Sequence, residues 1–321
     1  YTIILYFTLF LSGFSQDPQF TQFYSAPMYL GPSFTGATQQ HRISTNYRRQ
    51  WLGIPADYST FIIAYDQYFY KFNSGFGILF MQDQSGSGKL GTQSIDVLYS
   101  YDFIVKHTFH IRPGISFDYC RYNINFSRLV FPDQVIRDNA PVSVETPPSK
   151  ESRGYVDGAI SCLGYNDKIW SGVTLDHILE PNTSFYGDKS YIPLKVSLYG
   201  GARLVSKGRL YHPPKQAISV AYLLRFQGTI YKQLDVGLYL FNPPFMMGFW
   251  YRGIPLLNSP RGDAFAFLAG MKFPQFSIGY SYDFTISNLF TTTRGAHEIS
   301  ISYEFTTKSK KKIHAIPCPE F

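Results

Sequence analysis

Gly295 to Phe305 reads G-A-H-E-I-S-I-S-Y-E-F. Large apolar residues alternate there with small or acidic ones, in the order Glu298, Ile299, Ser300, Ile301, Ser302, Tyr303, Glu304 and Phe305. Because successive side chains of a β-strand point to opposite faces, this stretch predicts a strand with one apolar and one polar face. Such a strand suits a transmembrane barrel with lipid outside and water inside. A soluble β-sandwich strand shows the same alternation, so one strand does not decide between the two.

The amino-acid composition favours the membrane. Aromatic residues make up 18% and charged residues only 16% of the 321 residues, with 26 Tyr, 29 Phe and 26 Gly, whereas an average soluble domain is about a quarter charged. Tyr and Phe are typical of the aromatic girdles of outer-membrane barrels, and Gly lets strands bend. No apolar run after residue 15 approaches the ~20 residues of a spanning helix, so strands are predicted to cross the membrane.

The formal net charge of +7 has a source that is partly local. Four lysines cluster near the C-terminus, namely Lys308, Lys310, Lys311 and Lys312. No basic helix or zinc-ligand spacing accompanies them, so nucleic-acid binding is not expected. Cys120, Cys162 and Cys318 are too few and too widely spaced for a metal knuckle or a disulfide framework. We therefore expect no metal and no cofactor.

The first forty residues form two predicted segments. Residues 1–15 combine an apolar run with small residues, which is typical of a signal peptide cleaved after Ser15. Residues 16–40 contain Pro and Gly at positions that argue against a long regular element. We interpret them as a plug-like segment that enters or lies beneath the barrel, or else as a flexible arm. Its predicted anchors are Phe20, Phe23, Tyr24 and Phe34.

Residues 41–305 are predicted to form an antiparallel up-and-down β-barrel of about fourteen strands. The strand-like segments are 41–50, 59–70, 74–83, 92–105, 108–123, 154–166, 168–178, 194–206, 216–227, 231–241, 245–252, 263–273, 275–287 and 295–305. Long and short connections alternate, with 228–230 and 207–215 as exceptions, and the longest predicted outside loops are 124–153 and 179–193. This alternation, with long odd-numbered and short even-numbered connections, favours an outer-membrane barrel over a soluble sandwich. Residues 306–321 would follow as a solvated tail or as a periplasmic docking peptide.

The sequence contains no catalytic pattern. It has no G-x-S-x-G elbow and no spacing that singles out a triad. Carboxylates assigned mostly to the lumen are Asp66, Asp96, Asp102, Asp118, Asp235 and Asp283. Their expected partners are Arg48, Arg112, Arg203, Arg225 and Arg252. Such residues would form structural ion pairs or a polar pathway for a solute, and we predict that the protein is not an enzyme.

Several motifs in order resemble one family along the whole mature chain. They are D-P-Q-F-T-Q-F-Y at 17–24, N-Y-R-R-Q-W at 46–51, A-Y-D-Q-Y at 64–68, G-F-G-I-L-F-M-Q-D-Q-S-G at 75–86, W-Y-R at 250–252, S-Y-D-F at 281–284, G-A-H-E-I-S-I-S-Y at 295–303 and the terminal C-P-E-F. This ordered set resembles the PorP/SprF family of type IX secretion system outer-membrane proteins.

The resemblance implies a non-enzymatic barrel in the outer membrane of a Gram-negative bacterium. Some members belong to the core secretion and gliding-motility machine, with links to its translocon, its periplasmic ring and a peptidoglycan-binding lipoprotein. Others serve one secreted partner, such as a large adhesin, and are thought to hold its C-terminal sorting domain at the cell surface. The resemblance carries over no catalytic residue.

Three functions therefore stay open at the level of sequence. A partner receiver would use the outside loops, with Leu129, Val130, Phe131, Arg137 and Arg153 as the candidate binding residues. A core structural anchor would instead use the basic tail with its four lysines. A small-solute channel would need an open lumen.

Overall fold

The computed structural model describes residues 17–54, 58–86, 88–106, 109–137, 143–144, 147–148, 150–207, 216–228, 231–254, 264–286 and 293–305. The predicted signal peptide and the lysine-rich tail lie outside these residues. Within them, no helix has both the length and the apolar character to cross a membrane. The strands are β1 His41–Gln50, β2 Tyr58–Phe69, β3 Ser74–Ser85, β4 Leu90–Tyr101, β5 Phe103–Lys106, β6 Phe109–Asn123, β7 Ser152–Tyr165, β8 Ile169–Asp176, β9 Lys195–Lys207, β10 Gln216–Gln227, β11 Tyr231–Asn242, β12 Phe245–Arg252, β13 Ala264–Lys272, β14 Phe276–Thr285 and β15 Ala296–Phe305.

These strands form one closed antiparallel sheet. Except for β4 and β5, which do not pair with each other, each strand pairs with its neighbours in the chain. β1 also pairs with β15 along its whole length, from His41 opposite Phe305 to Gln50 opposite Ala296. β4 and β5 both pair with β6 and occupy one position in the wall. The fold is therefore a closed barrel of fourteen strands, as the sequence predicted.

The break between β4 and β5 differs from the predicted continuous strand over 92–105. Asp102 interrupts it, and its main-chain N–H donates to the carbonyl of Asn73 in the β2–β3 turn at 2.8 Å. The Asp102 carboxylate is buried and lies 2.9 Å from Nδ1 of His110. The Asp102 side chain thus contacts His110 inside the lumen, at the position where the hydrogen bonding between strands is interrupted.

The alternation of β15 is realised as predicted. Glu298 is fully buried on the inward face, whereas its neighbour Ile299 is 46% exposed on the outward face. Ser300 and Ser302 continue the inward row and Ile301 and Tyr303 the outward row. The same division runs around the barrel, so the outer wall is apolar and the inner wall carries most of the polar groups.

The two ends of the barrel differ in loop length. We call the end where β1 begins the inner rim, because short turns mark the periplasmic end of outer-membrane barrels. Turns there include 70–73, 166–168, 243–244 and 273–275. The opposite end, the outer rim, carries the connections 124–151 and 177–194, which we call loop A and loop B. Loop A contains a short helix, α2 Pro132–Ile136.

Residues 17–40 precede β1 and contain only short helical turns. α1 spans Pro27–Leu30, and a 3₁₀ turn spans Pro32–Phe34. Both begin with proline, whose fixed φ suits the first helical position. Most side chains of this stretch, which we call the N-terminal segment, are buried.

Candidate functional site

The N-terminal segment is hydrogen-bonded to inward-facing side chains of the barrel wall. The main-chain N–H groups of Thr21 and Gln22 donate to the two carboxylate oxygens of Glu298 on β15, at 2.8 and 3.1 Å. The Thr21 hydroxyl also contacts the carboxylate of Asp283 on β14 at 2.8 Å. These bonds satisfy backbone groups that would otherwise be buried without partners, because the segment has no strand of its own to pair with.

Two arginines complete this network. Arg48 on β1 lies 2.7 Å from Asp283 and 3.3 Å from Glu298, and it also donates to the Thr21 hydroxyl at 2.7 Å. Arg252 on β12 contacts Asp283 at 2.6 Å. All four charged side chains are almost completely shielded from solvent. Because an unpaired buried charge is costly, each member depends on the others.

A second network holds the other half of the segment. The N–H of Gly36 donates to Asp66 on β2 at 2.7 Å, and Asp66 is paired with Arg42 on β1 at 2.9 Å. Ser100 on β4 donates to the carbonyl of Thr35 at 2.7 Å. Arg112 on β6, which is fully buried, donates to the same carbonyl. Polar groups of three strands therefore bind a short stretch of segment backbone, and Arg42 on a fourth strand compensates the charge of Asp66.

The wall approaches the segment closely at one glycine. A Cβ on Gly75 of β3 would overlap the carbonyl oxygen of Thr35. Only a residue without a side chain fits here, which explains why a glycine interrupts the alternating pattern of this strand.

The four predicted anchors of the segment are all buried. Phe23 meets Trp250 of β12 edge to face, with ring centroids 5.2 Å apart, and Tyr24 meets Tyr239 of β11 in the same way at 5.0 Å. Phe34 packs against Tyr199 of β9, while Phe20 belongs to a second apolar cluster. Their proposed role in closing the lumen stays a prediction.

The apolar residues that interrupt the polar inner wall are the contact surface of the segment. Ile62, Leu79 and Leu98 on β2, β3 and β4 cluster with Phe20 and Met28. In the sequence, these residues place apolar side chains on both faces of their strands. Their position opposite the segment accounts for them, since a water-filled lumen gives an apolar side chain nothing to pack against.

A charged cluster at the outer rim holds the start of the segment, and sequence analysis missed it. Asp17 lies 2.9 Å from Nε2 of His177, which follows β8, and 2.7 Å from Lys195, which begins β9. Nδ1 of His177 contacts Asp157 of β7 at 2.6 Å. Lys195 also contacts Asp176, the last residue of β8, at 3.2 Å. The only signal in the sequence was an acidic residue just after the predicted signal peptide.

The ionisation of this cluster follows from its contacts. Burial favours neutral Asp17, but the neighbouring His177 and Lys195 outweigh burial and hold the pKa of Asp17 well below its usual value. Burial likewise opposes protonation of His177, yet the carboxylates of Asp17 and Asp157 raise the pKa of His177 to about 10. Both groups are therefore charged at neutral pH, and the contact between them is an ion pair.

Loops A and B are joined by aromatic rings. Phe126 of loop A stacks on Phe131 with centroids 5.8 Å apart and meets Tyr186 of loop B at 6.4 Å. Tyr122, near the end of β6, stacks on Phe185 of loop B at 5.2 Å. The described parts of the two loops thus form one surface over the outer rim.

The predicted binding residues differ in their surroundings. Val130 is 72% exposed, and nearby Val135 and Ile136 are 59% and 82% exposed. Phe131 is half-buried in the aromatic stack, and Leu129 packs against Gly88 of the β3–β4 turn.

The two basic candidates are engaged within the protein. Arg137 pairs with Asp133, one turn earlier on α2. Arg153 was placed in the loop by the sequence, but β7 already begins at Ser152, and the Arg153 guanidinium donates to the carbonyl of Ser184 in loop B. The partner-binding roles of both stay predictions.

The lumen carboxylates fall into two groups. Asp66, Asp102, Asp235 and Asp283 pair with arginine or histidine. Asp96 and Asp118 instead face each other between β4 and β6, and neither has an ion-pair partner among the described residues. For these two, the expected arginine partners were wrong, because the inward arginines lie on other strands or at other heights. The described residues hold no group of three metal-ligating side chains that could bind an ion.

Comparison with known proteins identifies the family. The family model of the type IX secretion system membrane protein PorP/SprF matches residues 12–303. The chain belongs to the PorP/SprF family. This PorP/SprF protein is accordingly an outer-membrane β-barrel of the type IX secretion system. A search of curated proteins finds no match.

Solved structures agree with the PorP/SprF protein in fold. The toluene transporter TbuX of Ralstonia pickettii is 9% identical with a TM-score of 0.53, over 90% of this chain and 94% of that chain. The Acinetobacter baumannii outer membrane protein Omp33 is 9% identical with a TM-score of 0.47, over 85% and 100% of the two chains. At such identity, the match to TbuX supports the barrel architecture and carries nothing about cargo.

Proposed function

We propose that this PorP/SprF protein is a non-enzymatic receiver that supports secretion of a partner protein and anchors it at the cell surface through the partner's C-terminal sorting domain. The observation that carries the proposal is the surface of loops A and B. Exposed aliphatic side chains at Val130, Val135 and Ile136 lie on a surface that internal aromatic contacts hold together. Exposed apolar groups on a preformed surface are typical of protein-binding sites.

The contents of the lumen support the receiver role over the role of a solute channel. The N-terminal segment contacts inward residues of β1, β2, β4, β6, β12, β14 and β15. A cavity of about 40 Å³ lies between Asp17 and Arg225, which is room for about one water molecule. In this proposal the segment closes the barrel while the outer loops hold the partner.

Replacing Val130, Val135 and Ile136 together by serine should reduce the amount of partner retained on the cell surface by roughly tenfold or more, because about 1.4 kcal/mol of lost binding energy already lowers affinity tenfold. The matched control is Phe72→Ser, which removes an aromatic side chain of 61% exposure at the inner rim. Quantitative immunoblotting of intact cells measures retention, and barrel abundance in outer-membrane fractions checks folding. Full retention by the triple variant would remove this surface from the proposal.

Removing residues 306–321 tests the alternative role as a core structural anchor. A receiver should keep its secreted partner after this deletion, since the described loops lie at the opposite rim. A core anchor should lose the periplasmic ring and the peptidoglycan-binding lipoprotein. Affinity purification in mild detergent followed by mass spectrometry distinguishes the two results. Loss of the secreted partner together with the ring components would contradict the receiver proposal.

A further inference from the structure

The two ends of the N-terminal segment are held at opposite rims. Asp17 is bound at the outer rim by His177, the first residue of loop B, and by Lys195, the residue that follows loop B. Gln39 is bound at the inner rim, where its carbonyl accepts a hydrogen bond from the Tyr70 hydroxyl at 2.6 Å. The segment therefore runs the full height of the barrel, in the direction opposite to β1.

Contacts between these ends follow the same order. Thr21 binds Asp283, which is two residues from the outer end of β14. The main-chain N–H of Ser33 then donates to the Ser161 hydroxyl oxygen at 2.7 Å, in the inner half of β7. The Tyr29 ring packs back towards Lys195, whose Nζ lies 5.7 Å from the ring centroid. The contacts of Asp17, Thr21, Ser33 and Gln39 nevertheless give the same direction, so it does not depend on any single bond.

We propose that the segment enters the lumen from the cell surface, so that its outer end belongs to the outward face of the protein beside loop B. The chain then passes the level of the bilayer once within the lumen before β1 begins. This inference rests on the orientation used in the proposed function, with loops A and B outside.

The ion pairs of Asp17 give this outer end a specific neighbour. His177 begins loop B, and it also contacts Asp157 of β7, the strand that follows loop A. The outer end is thereby held beside the start of loop B and is linked through His177 to β7, the strand that follows loop A. The segment end and the loops consequently form one surface, and the secreted partner that binds the loops is the partner that this end can contact.

The test compares three positions of a short epitope tag, inserted in separate chains immediately before Asp17, after Tyr186 of loop B, and after Phe72 of the inner turn. Antibody labelling is measured on intact and on permeabilised cells. The tags before Asp17 and after Tyr186 should be labelled equally in both, and the tag after Phe72 only after permeabilisation. Labelling before Asp17 that requires permeabilisation, while Tyr186 is accessible in intact cells, would overturn the proposal and leave the proposed function standing.

The reverse pattern separates the two proposals. If the tag after Phe72 is accessible on intact cells and the tag after Tyr186 is not, the orientation is wrong and the proposed function fails with it. Because an inserted tag can obstruct assembly, Pro18→Cys is the second variant, in a background with the native cysteines replaced by serine. A membrane-impermeant maleimide should label Pro18→Cys and Tyr186→Cys on intact cells and leave Phe72→Cys unlabelled; protection of Pro18→Cys alone would again contradict the inference.

Discussion

Deleting residues 17–40 should convert a closed barrel into an ion-conducting one. In the full chain the N-terminal segment contacts inward residues of β1, β2, β4, β6, β12, β14 and β15, so we expect it to block the passage of hydrated ions. Without the segment, the carboxylates and arginines that it now contacts would line a continuous polar lumen. Planar bilayers containing the deletion variant should therefore show stable conductance steps that bilayers with the full chain lack.

The deletion leaves the barrel wall intact in principle, because β1 begins at His41. It also exposes apolar inward residues such as Leu79 and Leu223 to water, so folding needs its own measurement. The temperature-dependent mobility of the barrel in detergent gels provides it. A folded deletion variant that conducts no better than the full chain would exclude the segment as the closing element, and conductance by the full chain would revive the solute channel.

The barrel wall was predictable from sequence because alternation is a local property. The predicted strands over 41–50, 216–227 and 245–252 coincide with β1, β10 and β12. The polarity of each residue in such a strand indicates which face of the sheet it occupies, independently of the rest of the chain. The break at Asp102 was not predictable, because it depends on contacts with His110 and Asn73. The alternation pattern of one strand does not reveal contacts with residues outside that strand.

The filling of the lumen was only partly predictable. The aromatic anchors were visible as large residues in an irregular stretch, yet the partners of that stretch were not: Thr21 binds Glu298, which lies 277 positions away. A segment without a regular period has no register against the wall, so sequence spacing cannot pair the two. The informative signal was the wall itself, where inward Leu79 and Leu223 broke the alternation opposite the segment.

Replacing Arg48 by alanine should destabilise the folded protein by about 3 to 5 kcal/mol, the usual cost of removing one member of a buried ion pair. Arg48 compensates both Asp283 and Glu298, and its loss leaves Arg252 as the described cation nearest to Asp283. Glu298 would then hold the backbone of the segment with an uncompensated buried charge. Urea unfolding in detergent should show a lower midpoint, and the N-terminal segment should become more sensitive to protease than the strands.

Arg49→Ala is the matched control, because Arg49 is adjacent in sequence but points to the outward face. It should shift the midpoint far less than Arg48→Ala. The double variant Arg48→Ala with Glu298→Gln should recover part of the lost stability, since the glutamine removes the uncompensated charge while it can still accept a hydrogen bond from Thr21. Equal effects of Arg48→Ala and Arg49→Ala, or no recovery in the double variant, would show that the buried network does not fix the segment. Recovery accompanied by renewed protease resistance of residues 17–40 would instead locate the stabilisation in the contact between the segment and β15.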